Sequence, residues 1–152
     1  MRKTIFVALA LAFAGQPLSA ATLSTAKLHK SAGTAIDSNG VVTAIAAGTT
    51  VIDTATVKCA AAAGCIIGIE VMAQVIANGS AGQWQICARV DGTQAGPGCP
   101  VQGQVPTTNY VVGNLRANMP VTTGTHTVSF EVTMPSSGSI AAWEGDYTVY
   151  KN

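Results

Sequence analysis

Charge is scarce in this sequence: Asp, Glu, Lys and Arg make up 10% of its 152 residues, and aromatics only 5%. No basic stripe or patch can be built from so few cations, and without phosphate neutralisation nucleic acid is not an expected partner. Long apolar runs are missing beyond the N-terminus, so no membrane-spanning helix and no stable membrane insertion are expected. The motifs of common chemistries are missing too. There is no G-x-S-x-G nucleophile turn, no H-E-x-x-H or H-x-H, no Asp-rich calcium repeat, no P-loop and no dinucleotide glycine fingerprint. The sequence therefore predicts no enzyme, no bound metal and no cofactor.

What is present begins with an export signal. MRKTIFVALALAFAG places Arg2 and Lys3 before an apolar run from Ile5 to Ala14, and small residues Ser19 and Ala21 follow. Charge, short apolar core and small-residue exit are the features by which signal peptides are recognised. Residues 1–21 are read as a signal peptide cut after Ala21, with Ala20 as the second choice, and residues 22–152 as one domain. No Leu-x-x-Cys signature lies near the cut, so the expected product is secreted or periplasmic. Removing Arg2 and Lys3 leaves six basic side chains against seven acidic ones, a formal charge of −1.

All four cysteines, Cys59, Cys65, Cys87 and Cys99, fall in the mature part. An even number in a chain bound for an oxidising space favours disulfides. Zinc sites usually pair ligands two to four residues apart, whereas five residues part Cys59 from Cys65 and eleven part Cys87 from Cys99. A catalytic thiol needs a base, and nothing sets His29 or His126 beside a cysteine. Nearest-neighbour pairing, Cys59 with Cys65 and Cys87 with Cys99, would close two short loops, each stabilising by roughly 2–3 kcal/mol in a chain-entropy picture. Crossed pairings remain open on sequence alone.

Alternation of period two recurs along the chain and marks half-buried strands. IIGIEVMAQVI puts Ile67, Ile69, Val71, Ala73 and Val75 on one face. QWQICARVD puts Trp84, Ile86, Ala88 and Val90 inward, and THTVSFEVTM does the same with Val128, Phe130, Val132 and Met134. NYVVGNLRANM sets Val111, Leu115 and Met119 opposite Asn114, Arg116 and Asn118. Weaker strands are read near Thr22–His29, at 41–46 and at 49–58, the last two joined across Ala47-Gly48. Asn78-Gly79 and Asp91-Gly92 read as turns of an antiparallel meander, and residues 100–108, with two prolines, read as a loop. The expected fold is all-β, a single antiparallel β-sandwich of six to eight strands, jelly-roll or immunoglobulin-like.

Few side chains stand out as sites. Glu144 and Asp146 share one face of the last strand, roughly 6–7 Å apart, a spacing that permits acid–base work but is commonplace on solvated faces. His126 falls on the inward parity and reads as structural. Asn78-Gly79-Ser80 fits a glycosylation acceptor formally, though the turn already explains it. Asp91 and its loop offer calcium a single carboxylate. The candidate ligand-binding residues are the aromatics Tyr110, Trp143 and Tyr150, whose rings could stack on a sugar or anchor a protein. Of these, Trp143 shares parity with Tyr147 and Val149 and so also fits the core.

W-x-x-C-x-x-x-D-G (Trp84, Cys87, Asp91, Gly92), G-x-H-T-V (Gly124, His126, Thr127, Val128) and a closing strand with Trp143 together resemble small exported bacterial β-sandwich domains, over about residues 41–150. In strand rhythm the chain also resembles jelly rolls of the tumour-necrosis-factor and complement type. The YTVY ending is similar to that of fimbrial subunits, although four cysteines stand where two are usual. These resemblances imply a fold and no catalytic residue. The expected role is that of an exported, non-catalytic structural or interaction protein. The alternatives are a carbohydrate- or ligand-binding module and a fimbrial-type assembling subunit. Another protein or a surface glycan is the expected partner, with self-association left open.

Overall fold

A computed structural model describes residues 24–32, 43–96 and 98–151. The segment read as a signal peptide and its expected cut site lie outside the described residues. Ten β-strands follow in order: β1 (Ser24–Ala32), β2 (Thr43–Ile45), β3 (Gly48–Cys59), β4 (Cys65–Ala77), β5 (Gly82–Val90), β6 (Thr93–Gln94), β7 (Val101–Val105), β8 (Val111–Val121), β9 (Gly124–Met134) and β10 (Gly138–Lys151).

They form two antiparallel sheets, and no described segment is helical. One runs β1-β10-β4-β8, with β2 beside the start of β10; the other runs β3-β9-β5, with β7 and β6 sharing the far side of β5. Successive long strands alternate between sheets, giving the wrapped order of a jelly roll. The all-β sandwich expected from the sequence is what the chain forms.

Alternation explains the core. Ile67, Ile69, Val71, Ala73 and Val75 of β4 are buried, facing Trp84, Ile86, Ala88 and Val90 of β5 and Val128, Phe130 and Val132 of β9. On β10 a bulge lies between Ile140 and Ala142. It shifts parity by one, so Ile140, Trp143, Tyr147 and Val149 all reach the interior. Tyr147 is fully buried, and its hydroxyl donates to Asp53 Oδ2 at 2.8 Å, linking β10 to β3 of the other sheet. Burial, and then the adjacent Asp53, push the Tyr147 hydroxyl pKa far above its usual value.

The disulfides join Cys59 to Cys65 and Cys87 to Cys99. The first ties the end of β3 to the start of β4, and so one sheet to the other. The second pins the segment after β6 onto the outer face of β5. CAAAAGC is thus a bridged loop, and its Gly64, at φ 89°, lies where a Cβ would meet the Val121 carbonyl oxygen at 2.6 Å.

Several expectations need correction. Residues 101–105 are strand β7, not loop; Pro100 and Pro106 bracket it, and Gly103 at φ 116° accompanies a bulge that hides the alternation. Among the described residues the strands number ten, because three-residue β2 and two-residue β6 are too short to show a period. Asp91-Gly92 makes the expected hairpin between β5 and β6, but elsewhere the meander is replaced by crossovers: Asn78-Gly79 leads from β4 in one sheet to β5 in the other, and Ala47 separates β2 from β3 likewise.

Candidate ligand-binding groove

The outer face of the β10-β4-β8 sheet is built from residues of opposite parity to the core. Register places Glu144, Met72 and Asn114 in one cross-strand row, Asp146, Glu70 and Arg116 in the next, and Thr148, Gly68 and Asn118 in a third. A hollow of about 520 Å³ is lined by Glu70, Met72, Asn114, Arg116, Glu144 and Asp146, with Val71 and Leu115 at its floor. That volume lies in the range of small-molecule sites. A smaller hollow of about 170 Å³ adjoins it, lined among others by Gly68, Asn118, Thr148 and Tyr150, and Glu70 and Arg116 line both.

Arg116 Nη2 lies 3.4 Å from Glu70 Oε2 across the strands. Both side chains are well exposed, so this pair contributes only about 0–1 kcal/mol to stability; its value is in presenting donors and acceptors side by side. Gly68 gives the second hollow its shape. A Cβ there would lie 2.8 Å from Tyr150 Cε2 and 3.3 Å from Asn118 Oδ1, so the Tyr150 ring sits against bare backbone. One border of the sheet is closed from the side: Gln102 Oε1 accepts from the Asn114 N–H at 3.0 Å, and Gly96 abuts Ala117. An otherwise unpaired edge strand is thereby covered.

The sequence-derived aromatics part company here. Tyr150 stands in the groove. Trp143 is half-buried against Phe130, with ring centroids 5.7 Å apart, and belongs to the core packing. Tyr110 directly precedes β8 and lines neither hollow. Glu144 and Asp146 do share a face, and the structure adds Glu70 and Arg116 beside them. The outward parity of Glu70, Asn114, Arg116 and Asn118 was readable in sequence. Their gathering was not, because it depends on which strands are neighbours.

His126 is a structural residue at one end of the sandwich. Its Nδ1 meets Asp91 Oδ2 at 2.7 Å and its Nε2 meets the Thr122 carbonyl at 2.9 Å, while Asp91 Oδ1 accepts from the Thr127 N–H at 2.8 Å. Two acceptors face one ring, so the imidazolium, which can donate to both, is preferred. The Asp91 contact, then the Thr122 carbonyl, raise the His126 pKa; the His126 contact, then the Thr127 N–H, lower that of Asp91. The raised His126 value contributes stability that is complete below 6.5 and lost as pH rises through the folded-state value. The lowered Asp91 value contributes above 3.8 and is lost as pH falls through its folded-state value. Thermal melts from about pH 5 to about pH 8 are therefore expected to show Tm falling toward the alkaline end. His126→Gln is expected to flatten that fall; an unchanged slope would assign it to another group.

No known family profile matches the sequence, and no curated protein matches it significantly. Among solved structures the chain is similar to part of dimeric latent PorU from Porphyromonas gingivalis, at TM-score 0.50 and 8% identity over 86% of this chain. The chain spans only 13% of that protein. It is also similar to a family 35 carbohydrate binding module from Clostridium thermocellum (TM-score 0.32, 14% identity, 68% of this chain and 90% of that one). A carbohydrate binding module of Cellvibrio mixtus lichenase 5A, solved with cellotriose, gives TM-score 0.25 at 16% identity, over 82% of this chain and 86% of that one. At 8% identity the likeness to PorU speaks to the fold alone.

Proposed function

We infer that the chain is an exported, non-catalytic binding module that takes a hydroxyl-rich ligand, a carbohydrate, in the groove on its β10-β4-β8 sheet. One observation carries this reading: an aromatic ring, two amides, carboxylates and a guanidinium converge on the same outer face. Sugars present hydroxyls that pair with carboxylates, amides and guanidinium, and C–H faces that lie on aromatic rings. Two disulfides suit an oxidising compartment. A purely structural role would leave this convergence without a use. A fimbrial-type open groove finds no support, since the inner faces of both sheets are covered among the described residues.

A glycan array probed with the oxidised chain, followed by titration calorimetry on the hits, tests the reading. Tyr150→Ala is expected to weaken binding about tenfold, the loss of one ring contact of roughly 1.4 kcal/mol. Val51→Ser, on exposed β3 of the opposite sheet, is expected to leave binding unchanged. Absence of any glycan hit, or equal effects of the two substitutions, would overturn the reading.

A further inference from the structure

We propose that the groove holds two subsites divided by the Glu70–Arg116 pair, so that the unit recognised is a disaccharide and Gly68 is the residue that makes the second subsite possible. This rests on the carbohydrate reading and goes beyond it in naming the length of the ligand and the residue that sets it.

Three features converge on a division. The two hollows differ about threefold in volume, 520 against 170 Å³, and share only Glu70 and Arg116 among their charged lining residues. That pair forms a polar ridge between the Asn114 side and the Asn118 side of the sheet. The row carrying Glu70 and the row carrying Gly68 lie two residues apart along each strand, roughly 7 Å. This step suits adjoining rings of a short saccharide. The smaller hollow is of single-ring size and is bordered by Tyr150 on β10 and Asn118 on β8. The larger one has polar groups from three strands and, among the described residues, no aromatic, so it holds its ring through hydroxyls.

Gly68 sits between the two borders of the small subsite. Any side chain there would project into the Tyr150 ring at 2.8 Å and crowd the Asn118 amide at 3.3 Å. A flexible tyrosine can give way, and in doing so it would fill the hollow that a sugar ring needs. Gly68 lies on a central strand between β10 and β8, and its φ is not positive. Backbone conformation therefore does not demand glycine here, whereas the space above it does.

The test uses calorimetry of the full oxidised chain with gluco-, xylo- and N-acetylglucosamine-based saccharides of increasing length. For the series that binds, the disaccharide is expected to bind about tenfold tighter than its monosaccharide, one extra contact set of roughly 1.4 kcal/mol, and the trisaccharide to add little. Gly68→Val and Tyr150→Ala are each expected to erase the disaccharide advantage, which Val51→Ser keeps; thermal melts identify a misfolded Gly68→Val, and Tyr150→Ala then decides. Equal affinity for monosaccharide and disaccharide, affinity climbing steadily with length, or a folded Gly68→Val that keeps the step would overturn the two-subsite division and leave the carbohydrate reading standing. Binding of no saccharide at all would overturn both.

Discussion

Gly113→Ala is expected to lower stability by about 3 kcal/mol, at the upper end of overpacking effects, although it adds one methyl group. Gly113 lies on the inner face of β8 opposite Ala73. A Cβ there would stand 2.6 Å from Trp84 Cη2, 2.7 Å from Trp84 Cζ2 and 2.8 Å from Gln102 Oε1. Trp84 is 1% exposed, so the ring has no free space to enter. Glycine here makes room for the largest side chain of the core, not for a special backbone angle. Tm should fall by about 10 °C for a chain of this size, with an unchanged denaturant slope. Combining Gly113→Ala with Trp84→Phe should cost less than the two separately, since the smaller ring vacates the contested volume. Additive losses, or a wild-type melt for Gly113→Ala, would mean that Trp84 does not lie under β8.

Arg89→Met is expected to cost a further large amount, about 3 kcal/mol, by a different route. Arg89 Nε lies 2.9 Å from both oxygens of Glu131, and its Nη1 donates to the Gly92 carbonyl at 3.3 Å. Glu131 is only 11% exposed at its side chain, beside the Cys87 position of the neighbouring strand. Removing the guanidinium strands a carboxylate where water reaches it poorly. Replacing both partners, as in Arg89→Met with Glu131→Leu, removes the stranded charge and should recover most of the loss. Urea titration of the wild type, both single variants and the double variant measures the coupling directly. A double variant as unstable as the sum of the singles would refute it.

Much of the sandwich was legible because each long strand carries its own period. The faces of β4, β5, β8 and β9 follow from alternation alone, since burying one face of a strand decides every second residue. The short-range disulfides were legible as the simplest of three pairings in an oxidising chain. Trp143 could be placed inside from its parity with Tyr147 and Val149, though not together with Ile140, because the bulge between them leaves no mark in the sequence. Asp91-Gly92 does turn β5 back onto β6 in the same sheet, whereas Asn78-Gly79 was misread for a general reason. Asn-Gly and Asp-Gly reverse the chain equally well whether the next strand pairs in the same sheet or crosses to the other. The groove inherits that ambiguity: Glu70, Arg116 and Asp146 each read as ordinary solvated residues until β4 is known to lie between β10 and β8.

The pairing of β1 with β10, Ser24 opposite Lys151 at one end and Ala32 opposite Trp143 at the other, sets an order of events for a chain emerging N-terminus first. Residues that begin the sheet, in β1 and β2, must wait for the last strand before they have a neighbour, whereas β4 can already pair with β8. No early portion can close this sheet by itself. The polypeptide therefore stays threadable until its final strand arrives, and then completes its architecture in one late, long-range step of the kind that folds slowly.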